Sequence, residues 1–436
     1  MTSSHLADDF RNIPYWWDSA GIKFEADSGD SPAELPGRAE VAIIGAGYTG
    51  LSAALTLARA GREVVLLDAE MPGFGCSSRN GGLVGPSFHK LGLTGLVARH
   101  GVRKAHAILS ESMDALEFLY AFIEAESIEC GLQRTGRFRG ADRRGHYEEM
   151  AKEIDGFKRA VGLEADMVPR HEQHAEIGSD AYYGGVIYHQ DGHLHPGLYV
   201  AGLVERVRAA GVKIVGNAAV TGMRQDSGNQ ILAIGDRQLV ANQVLVATNG
   251  YTPRALPYFR RRVIPLRSAI ITTAPLKQDL MRELSPKGRG FGGTSRLVIY
   301  YRPSPDGTRM VFGGRAFHQD DRPAAYTKDL YAEMIGIFPQ LNGVKITHGW
   351  SGTVAYTFDH APHIGSHEGV FYAMGYCGSG VGRATYFGRK IALKMIGDPE
   401  GKTSLDDLAF ETRPFYTGTP WFLPLIIRWH AFRDAR

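Results

Sequence analysis

Cysteine is scarce in this sequence of 436 residues, which contains only Cys76, Cys130 and Cys377. An odd and sparse set of this kind excludes a disulfide framework and fits a reducing compartment, so we expect a cytoplasmic protein. The sequence also lacks a CxxC motif and any cysteine spacing typical of a zinc site.

Long apolar runs and a large excess of one charge are missing too. No stretch of about 18 apolar residues occurs, so no transmembrane segment is expected. The first ten residues are polar, include two aspartates and do not resemble a signal peptide. The 49 basic and 46 acidic residues give a net charge of +3, which does not indicate a protein that binds nucleic acid.

Glycine, in contrast, is abundant. The 54 glycines predict many tight turns and places where two backbone segments approach closely. Hydrophobic residues make up 44% of the chain and charged residues 22%, which is typical of folded globular domains. At about 100–200 residues per domain, the length predicts two to four domains.

A strand–turn–helix–strand unit lies near the N-terminus. The apolar run 41–44 predicts a buried parallel strand, residues 51–60 predict a helix, and 63–67 predict a second strand that ends at Asp68. The first strand and the helix are joined by a glycine-rich turn that consists of Gly45, Ala46, Gly47, Tyr48, Thr49 and Gly50.

This unit has the pattern of a dinucleotide-binding site. The three glycines allow a tight turn, close approach to a pyrophosphate and close packing of the helix on the strand. The N-terminus of the helix presents N–H groups to the phosphates. Asp68, 21 residues after Gly47, can accept hydrogen bonds from ribose hydroxyls.

Three later features favour FAD over NAD as the dinucleotide. The stretch 75–82 is rich in small and hydrogen-bonding residues, and a predicted strand at 243–247 ends in further small residues. The glycine-rich turn 375–380 precedes a predicted helix at 381–396, whose N-terminus would stabilise the negative charge of a reduced flavin ring.

The middle of the chain has a different pattern. Helical spacing at 100–125 precedes alternating patterns at 263–273, 297–302 and 309–313, which predict antiparallel strands. A hairpin is predicted at the turn between the last two, Ser304-Pro305-Asp306-Gly307.

Taken together, these motifs resemble the FAD-dependent D-amino-acid oxidase superfamily, in its glycine and sarcosine oxidase-like branch. The resemblance covers roughly residues 12–430, and its motifs are 41–50, Asp68, 78–82, the strand at Val220, 246–250, 301–303, 312–315, 350–353, 359–365 and 375–380. The turn 79–82 and the segment Tyr15-Trp16-Trp17 are most similar to γ-glutamylputrescine oxidases.

The resemblance implies a mixed α/β fold. A Rossmann-like FAD-binding domain would be interleaved with a substrate domain that carries a mixed, largely antiparallel sheet. The implied segments are an N-terminal arm (1–37), the FAD-binding domain (38–90, 195–260 and 345–400), the substrate domain (91–194 and 261–344) and a C-terminal tail with a terminal helix (401–436).

Matching the family's motifs to this sequence identifies the residues expected to bind FAD. They are Gly45, Ala46, Gly47, Tyr48, Thr49, Gly50, Asp68, Ala69, Ser77, Ser78, Arg79, Asn80, Gly81, Gly82, Val220, Thr248, Asn249, Gly250, Gly352, Gly375, Cys377, Gly378, Gly380 and Val381. Relatives with covalent flavin carry a cysteine in the segment that matches 353–356, and this sequence has none, so we expect non-covalent FAD.

The implied reaction oxidises the C–N bond of a primary or secondary amine or an amino acid by hydride transfer to flavin N5. It requires an amine that is held close to the flavin and groups that orient it. The acceptor could be oxygen or another compound, because the stretch 310–313 lacks the lysine that some oxidases place over the flavin. Two alternatives remain: a 2-hydroxy-acid dehydrogenase with His360 or His318 as base, or a non-catalytic FAD-binding protein.

Five residues are candidates for the substrate site, and each could instead have a purely structural role. Arg315 could bind a substrate carboxylate. Tyr301 and Tyr356 could receive an amine in an aromatic cage. Asp359 and His360 lie in a segment that passes near the flavin in the family.

Three further segments have a less specific pattern. The aromatic segment 15–17 predicts an arm or short helix that packs on the body. The apolar and then basic run 420–436 predicts a helix that docks on the body or on a second subunit of a homodimer, with a membrane-surface helix as the alternative. The histidines at 189, 193 and 195 are spaced like metal ligands, but the family implies no metal there.

Overall fold

The chain forms two large β-sheets, and each sheet takes its strands from several separate stretches of the sequence. A computed structural model describes residues 5–22, 32–314 and 322–434. The strands are β1 (Leu6–Arg11), β2 (Arg38–Ile44), β3 (Val64–Leu67), β4 (Leu83–Val84), β5 (Arg137–Gly140), β6 (Ala165–Val168), β7 (Gly185–Tyr188), β8 (Gly192–His193), β9 (Lys213–Val215), β10 (Val220–Asp226), β11 (Asn229–Ile234), β12 (Arg237–Val246), β13 (Ile264–Thr273), β14 (Gly290–Gly292), β15 (Ile299–Pro303), β16 (Met310–Gly314), β17 (Ile346–Tyr356), β18 (His363–His367) and β19 (Val370–Met374).

Helices connect these strands and cover the sheets. They are α1 (Tyr15–Ser19), α2 (Tyr48–Arg59), α3 (Cys76–Arg79), α4 (Gly92–His100), α5 (Val102–Ala125), α6 (Arg144–Val161), α7 (Pro196–Ala209), α8 (Pro257–Arg260), α9 (Gln278–Leu284), α10 (Pro323–Ile337), α11 (Gly380–Met395) and α12 (Leu423–Asp434). Within the described part of the chain, none of them has the length and apolar character that a membrane span requires.

The first sheet is the Rossmann-like unit that the sequence predicts. Its strand order is β10-β11-β12-β2-β3-β9, and β19 pairs with β12 and with β18. The pairs β12–β2, β2–β3, β3–β9 and β12–β19 are parallel. Every residue of β3 is buried, because helices cover a parallel sheet and leave no face for solvent.

The second sheet is mixed and largely antiparallel, as expected. Its order is β1-β17-β13-β16-β15-β14-β5-β7-β6, and only the pairs β1–β17 and β14–β5 are parallel among its described strands. The predicted hairpin is confirmed, since β15 and β16 pair across the turn 304–307.

Two strands of the second sheet come from segments that the sequence analysis assigned elsewhere. β1 belongs to the predicted N-terminal arm, and β17 belongs to the stretch 345–400 of the predicted FAD-binding domain. β17 lies in the second sheet because it pairs with β13 from Tyr356 to Ile346. Its last residues therefore carry the chain from the second sheet back towards the first.

Helices α2 and α11 cross at a glycine and fix the core of the first sheet. A Cβ on Gly388 would lie 2.5 Å from the carbonyl oxygen of Thr49 and 2.9 Å from the Cβ of Ser52. Ser52 Oγ donates a hydrogen bond of 2.6 Å to the carbonyl of Thr385. This close approach holds α11 against the helix whose N-terminus follows the glycine-rich turn.

Replacing Gly388 with valine should separate the two helices. The clash is with backbone and cannot be relieved by rotating a side chain, so the free energy of unfolding should fall by about 1–3 kcal/mol. Gly336→Ala on α10 is the matched control. Its Cβ would meet nothing within 4 Å, and it should stabilise the chain by about 0.5–1 kcal/mol. Thermal unfolding would measure both, and equal effects would contradict this account of the crossing.

Candidate active site

The glycine-rich turn after β2 leaves no room for side chains at its two ends. Gly45 has a φ of +107°, and a Cβ there would lie 2.9 Å from the carbonyl oxygen of Ala247. A Cβ on Gly50 would overlap the carbonyl oxygen of Gly45. Glycine is therefore required at both positions for β2, β12 and α2 to meet.

The N-terminus of α2 forms a cradle that fits a phosphate. Gly47 is the N-cap residue and has no side chain to accept from the first N–H groups of the helix. The N–H of Tyr48 donates instead to Oγ of Ser77 over 3.0 Å, and a Cβ on Gly47 would lie 2.9 Å from that same oxygen. N–H groups of a first helical turn carry the positive end of the helix dipole, so this turn suits a pyrophosphate. The side chain of Thr49 points away and bonds Tyr376.

Asp68 stands at the end of β3 beside this turn. Its Oδ2 accepts from the N–H of Ala46 over 2.7 Å, and its Oδ1 accepts from the N–H of Glu70 over 3.0 Å. Burial raises the pKa of Asp68 to about 6, against the effect of these two hydrogen bonds. Each carboxylate oxygen can accept a second hydrogen bond, so Asp68 can still bind a ribose hydroxyl beside the exposed Ala69.

Three indole N–H groups hold the turn 77–82, which we call the indole-bound turn. Three tryptophans donate to three consecutive residues of the turn: Trp17 to Ser78 Oγ (3.0 Å), Trp350 to the Arg79 carbonyl (2.8 Å) and Trp16 to the Asn80 carbonyl (2.8 Å). The guanidinium of Arg79 lies 4.5 Å from the ring centre of Trp17. The turn is thus fixed from α1 on one side and from β17 on the other.

Asn80 and two glycines set the backbone of the indole-bound turn. Oδ1 of Asn80 accepts from the N–H of Gly82 over 2.8 Å, and Nδ2 donates to the carbonyl of Ser77 over 2.9 Å. Gly82 has a φ of +73°, and a Cβ on Gly81 would lie 2.6 Å from the ring of Tyr300. At Gly81 this turn therefore meets the second sheet through backbone, and Nη1 of Arg79 donates to the carbonyl of Ser351 on β17 over 3.2 Å.

Arg302 ties the indole-bound turn to the second sheet by charge. Its guanidinium is buried and donates to the carbonyls of Gly81 (2.8 Å) and Leu194 (2.6 Å) and to Nδ1 of His193 (2.9 Å). It also lies 5.0 Å from the ring centre of Trp16. Burial lowers the pKa of Arg302 to about 9, so the side chain stays charged at neutral pH.

The remaining predicted cofactor residues lie on several elements. Oδ1 of Asn249, next to Thr248, accepts from the N–H of Gly375 over 3.0 Å. A Cβ on Gly250 would lie 2.7 Å from the carbonyl oxygen of Thr353. The other predicted residues here are Val220 at the start of β10, Gly352 on β17, and Gly378, Gly380 and Val381 at the start of α11.

Cys377 is a buried thiol in the turn before α11. Its Sγ donates to the carbonyl of Gly375 over 3.2 Å, and its backbone has a φ of +54°. Burial raises the pKa of this thiol, which keeps it protonated at neutral pH. Cys377 packs against Leu266 and Tyr356 in a small buried cluster that joins the turn before α11 to β13 and β17.

A cavity of about 860 Å³ lies between the indole-bound turn, the second sheet and α12. Loop residues 86–90, with Tyr356, Thr357 and His360, form one side of it. The strands β5, β7, β14 and β15 supply the opposite wall through side chains that include Arg137, Tyr188, Phe291 and Tyr300. This size suits a small-molecule ligand.

The structure brings two of the five predicted substrate-site residues into this cavity. Tyr356 and His360 line it. Asp359 does not; it accepts from Nε2 of His363 over 3.0 Å, and although burial alone would raise its pKa, that bond lowers the pKa to about 2. Arg315 lies outside the described residues.

Tyr301 faces away from the cavity, and its neighbour Tyr300 lines it. The ring of Tyr301 stacks on Phe291 and Phe312 in the core, and its hydroxyl bonds Tyr182 over 2.7 Å. Successive side chains of a strand point to opposite faces, so residues 300 and 302 share the face that meets Gly81. Gly313 was the available sequence signal for the orientation of Tyr300, because a Cβ added at Gly313 would overlap the Tyr300 ring.

Sequence reasoning also missed the charged residues of the cavity. Lys90, Arg137, Arg139 and Arg296 line it, together with Glu153. The alternation of charged and apolar residues in β5 was an available signal, since Phe138 between the two arginines is fully buried.

The C-terminal helix α12 forms the outer wall of the cavity. Its first turns contribute Phe422, Leu423, Ile426 and Ile427 to the lining. The opposite side of the same segment exposes Trp421, Leu425 and Trp429. Packing on the body is therefore one role of this segment, as the sequence predicts.

Each of the three clustered histidines has a separate partner. His189 pairs with Asp166, His193 contacts Arg302, and Nδ1 of His195 accepts from the N–H of Leu198 at the start of α7. Within the residues that the structure describes, no group of histidine, cysteine and acidic side chains is arranged to hold a metal ion.

Replacing Trp17 with phenylalanine should weaken cofactor binding. The ring over Arg79 remains, but the N–H that Ser78 accepts is lost, and one such hydrogen bond contributes about 0.5–1.5 kcal/mol. We expect the Kd for FAD to rise about 3- to 10-fold, measured by fluorescence titration of the apoprotein. Trp421→Phe, an exposed indole on the C-terminal segment, is the control. Equal Kd values for the two variants would show that the indole N–H does not hold the turn.

Comparison with solved structures supports the fold. The chain aligns with glycine oxidase from Geobacillus kaustophilus with a TM-score of 0.73 and 19% identity, covering 87% of this chain and 99% of that structure. It aligns with L-proline dehydrogenase from P. horikoshii with a TM-score of 0.71 and 18% identity, over 89% and 98% of the two chains.

Comparison of sequences gives more similar relatives. Gamma-glutamylputrescine oxidoreductase of Escherichia coli is 30% identical over 363 residues, which cover 83% of this chain and 84% of the relative. A probable oxidoreductase, OrdL, of Haemophilus influenzae is 30% identical over 391 residues, 88% of each chain. Residues 40–393 match the family described as FAD dependent oxidoreductase, DAO. The phosphate cradle and Asp68 fit a dinucleotide, and the chain belongs to the DAO family of FAD-dependent oxidoreductases.

Proposed function

We propose that this enzyme oxidises the C–N bond of a primary or secondary amine or an amino acid in the cavity behind Tyr300. The relative of 30% identity named for gamma-glutamylputrescine supports an amine substrate, and so does the structural neighbour named glycine oxidase. When bound, FAD would accept at N5 the hydride that leaves the C–H bond next to the nitrogen, while the nitrogen loses a proton and the C–N bond becomes a C=N bond. The resulting imine then reacts with water to give a carbonyl compound and a free amine or ammonia.

One observation carries this proposal. Tyr300 lines the cavity, and its ring also contacts Gly81 of the indole-bound turn. A substrate in the cavity would therefore lie next to the turn that the family uses for its flavin. Ser268 Oγ lies 3.1 Å from the Tyr300 hydroxyl and helps to fix the ring.

The cavity suits a neutral amine. Lys90 lies 5.1 Å from the ring centre of Tyr356 and lines the cavity. Nearby cations disfavour a protonated amine and so promote the neutral form that hydride transfer requires. The aromatic rings of Tyr300 and Tyr356 can flank the substrate and exclude water.

The histidine at the cavity edge is held in one neutral form. Nε2–H of His89 donates to the carbonyl of Asp359 over 3.0 Å, and Nδ1 accepts from the N–H of Leu91 over 3.1 Å. Burial, followed by the charge of Arg383, lowers the pKa of His89 to about 4. His89 is therefore neutral at the pH where an amine is oxidised and does not repel the substrate.

Anaerobic bleaching of the bound flavin tests the reaction class. Separate panels of amines that include γ-glutamylputrescine, of amino acids and of 2-hydroxy acids would be mixed with the holoenzyme. Bleaching by an amine or an amino acid is the expected result, and readmitted air would then distinguish oxygen from another acceptor. Bleaching only by a hydroxy acid would overturn the proposal and would favour His360 as a base; His318 lies outside the described residues.

Tyr300→Ala should slow this reduction while the enzyme keeps its flavin. Loss of the ring removes one wall next to Gly81, so the rate should fall on the order of 10- to 100-fold through poorer orientation. Tyr183→Ala is the control, because that tyrosine is 41% exposed and lies outside the cavity lining. Stopped-flow absorbance of the flavin would measure both variants, and equal rates would contradict the placement of the substrate.

A further inference from the structure

One wall of the cavity is strongly cationic. Of the residues that line it, four are cations, Lys90, Arg137, Arg139 and Arg296, and one is a carboxylate, Glu153. Arg137 and Arg139 stand on the same face of β5, two residues apart. Nε of Arg139 donates to the carbonyl of Gly293 over 3.3 Å, and this hydrogen bond orients the Arg139 side chain.

Arg137 forms an ion pair with a buried carboxylate. Oδ2 of Asp191 lies 2.8 Å from Nε of Arg137, and the side chain of Asp191 is 1% exposed. Neither carboxylate oxygen, nor Nε of Arg137, makes a hydrogen bond among the described residues, so charge attraction holds the pair. The arginine also lies 5.0 Å from the ring centre of Tyr188. A buried carboxylate and a ring thus fix the position of one guanidinium.

The other nitrogens of Arg137 remain available. The side chain is 31% exposed and lines the cavity. The contact with Asp191 is made by Nε, and Nη1 and Nη2 are not among the buried nitrogens that lack a partner. Two parallel N–H groups of a guanidinium match the two oxygens of a carboxylate.

The distance from Tyr300 sets the shape of the ligand. Tyr300 pairs with Gly292 on β14, and Gly292 pairs with Arg139 on β5. Strands β15 and β5 are therefore two strand spacings apart, roughly 10 Å. Arg137 lies two residues further along β5, opposite Gly290, so a carboxylate bound at Arg137 stands apart from an amine held against Tyr300, and this separation favours a carboxylate several bonds from the reacting nitrogen.

We propose that Arg137, positioned by Asp191, binds a carboxylate of the substrate, and that the substrate is an amine whose carboxylate lies several bonds from the oxidised nitrogen. This inference rests on the proposed oxidation of an amine at Tyr300. Arg137 acts as the specificity-determining residue, and Asp191 is a positioning residue that acts through it.

Three probes of one chain length test the inference on the holoenzyme. 5-Aminopentanoate carries both groups, pentylamine lacks the carboxylate, and glutarate lacks the amine and cannot be oxidised. Flavin reduction gives KM and kcat for the two amines, and calorimetry gives the Kd for glutarate. The variants are Arg137→Gln, Arg137→Lys and Asp191→Asn. Arg134→Gln is the control, since this arginine lies over Tyr120 and outside the cavity lining.

The expected result is a loss that depends on the substrate carboxylate. Arg137→Gln should raise KM for 5-aminopentanoate and the Kd for glutarate on the order of 10- to 100-fold. It should leave kcat and KM for pentylamine nearly unchanged. Arg137→Lys should retain part of the affinity, because lysine keeps the positive charge but lacks the two parallel N–H groups of the guanidinium. Asp191→Asn should raise KM for 5-aminopentanoate and leave kcat for pentylamine unchanged, which a merely structural role would not produce.

The outcomes separate this inference from the proposed function. If no amine bleaches the flavin but Arg137→Gln still weakens glutarate binding, the proposed carboxylate site at Arg137 is supported and amine oxidation is overturned. If amines bleach the flavin and Arg137→Gln does not change the preference for 5-aminopentanoate over pentylamine, the carboxylate site at Arg137 is overturned and amine oxidation is supported. Failure of both carboxylate probes to bind the wild-type enzyme would overturn the carboxylate site as well. An equal loss for both amines in Asp191→Asn would overturn its positioning role.

Discussion

Three indole N–H groups that donate to residues 78, 79 and 80 are the interaction on which the arrangement of this enzyme depends. Trp16 and Trp17 come from α1, and Trp350 comes from β17 of the second sheet. A buried N–H without an acceptor costs free energy, so each indole has one position that satisfies it. The indole-bound turn therefore cannot move without breaking contacts to α1 and to β17.

Arg302 shows why a charge is buried at this junction. A lone cation inside a protein is costly, yet this guanidinium donates to two carbonyls and a histidine nitrogen that would otherwise lack partners. One side chain thus satisfies groups from the turn 77–82 and from the loop before α7. Apolar packing could fill this space, but it could not fix three backbone segments at defined distances.

The cavity has two kinds of wall, and each has its own task. One side presents the rings of Tyr300 and Tyr356, and Tyr300 also meets Gly81, which suits chemistry next to a flavin. The side built on β5 presents fixed cations, which suits selection of a substrate by charge. Because β14 separates β5 from β15, the proposed contact to a substrate carboxylate and the proposed oxidation lie at different points of one cavity.

The sequence alone determined the cofactor unit, because its glycines, its helix and Asp68 are close in the chain and follow local rules of turn and helix geometry. Only the tertiary structure decided the substrate site. Tyr300 and Tyr301 are adjacent tyrosines that the sequence does not distinguish. The register of β15 decides which of them faces the cavity. Likewise Arg137 and Asp191 are 54 positions apart, and no local pattern predicts their contact, because sheet pairing between distant segments creates it.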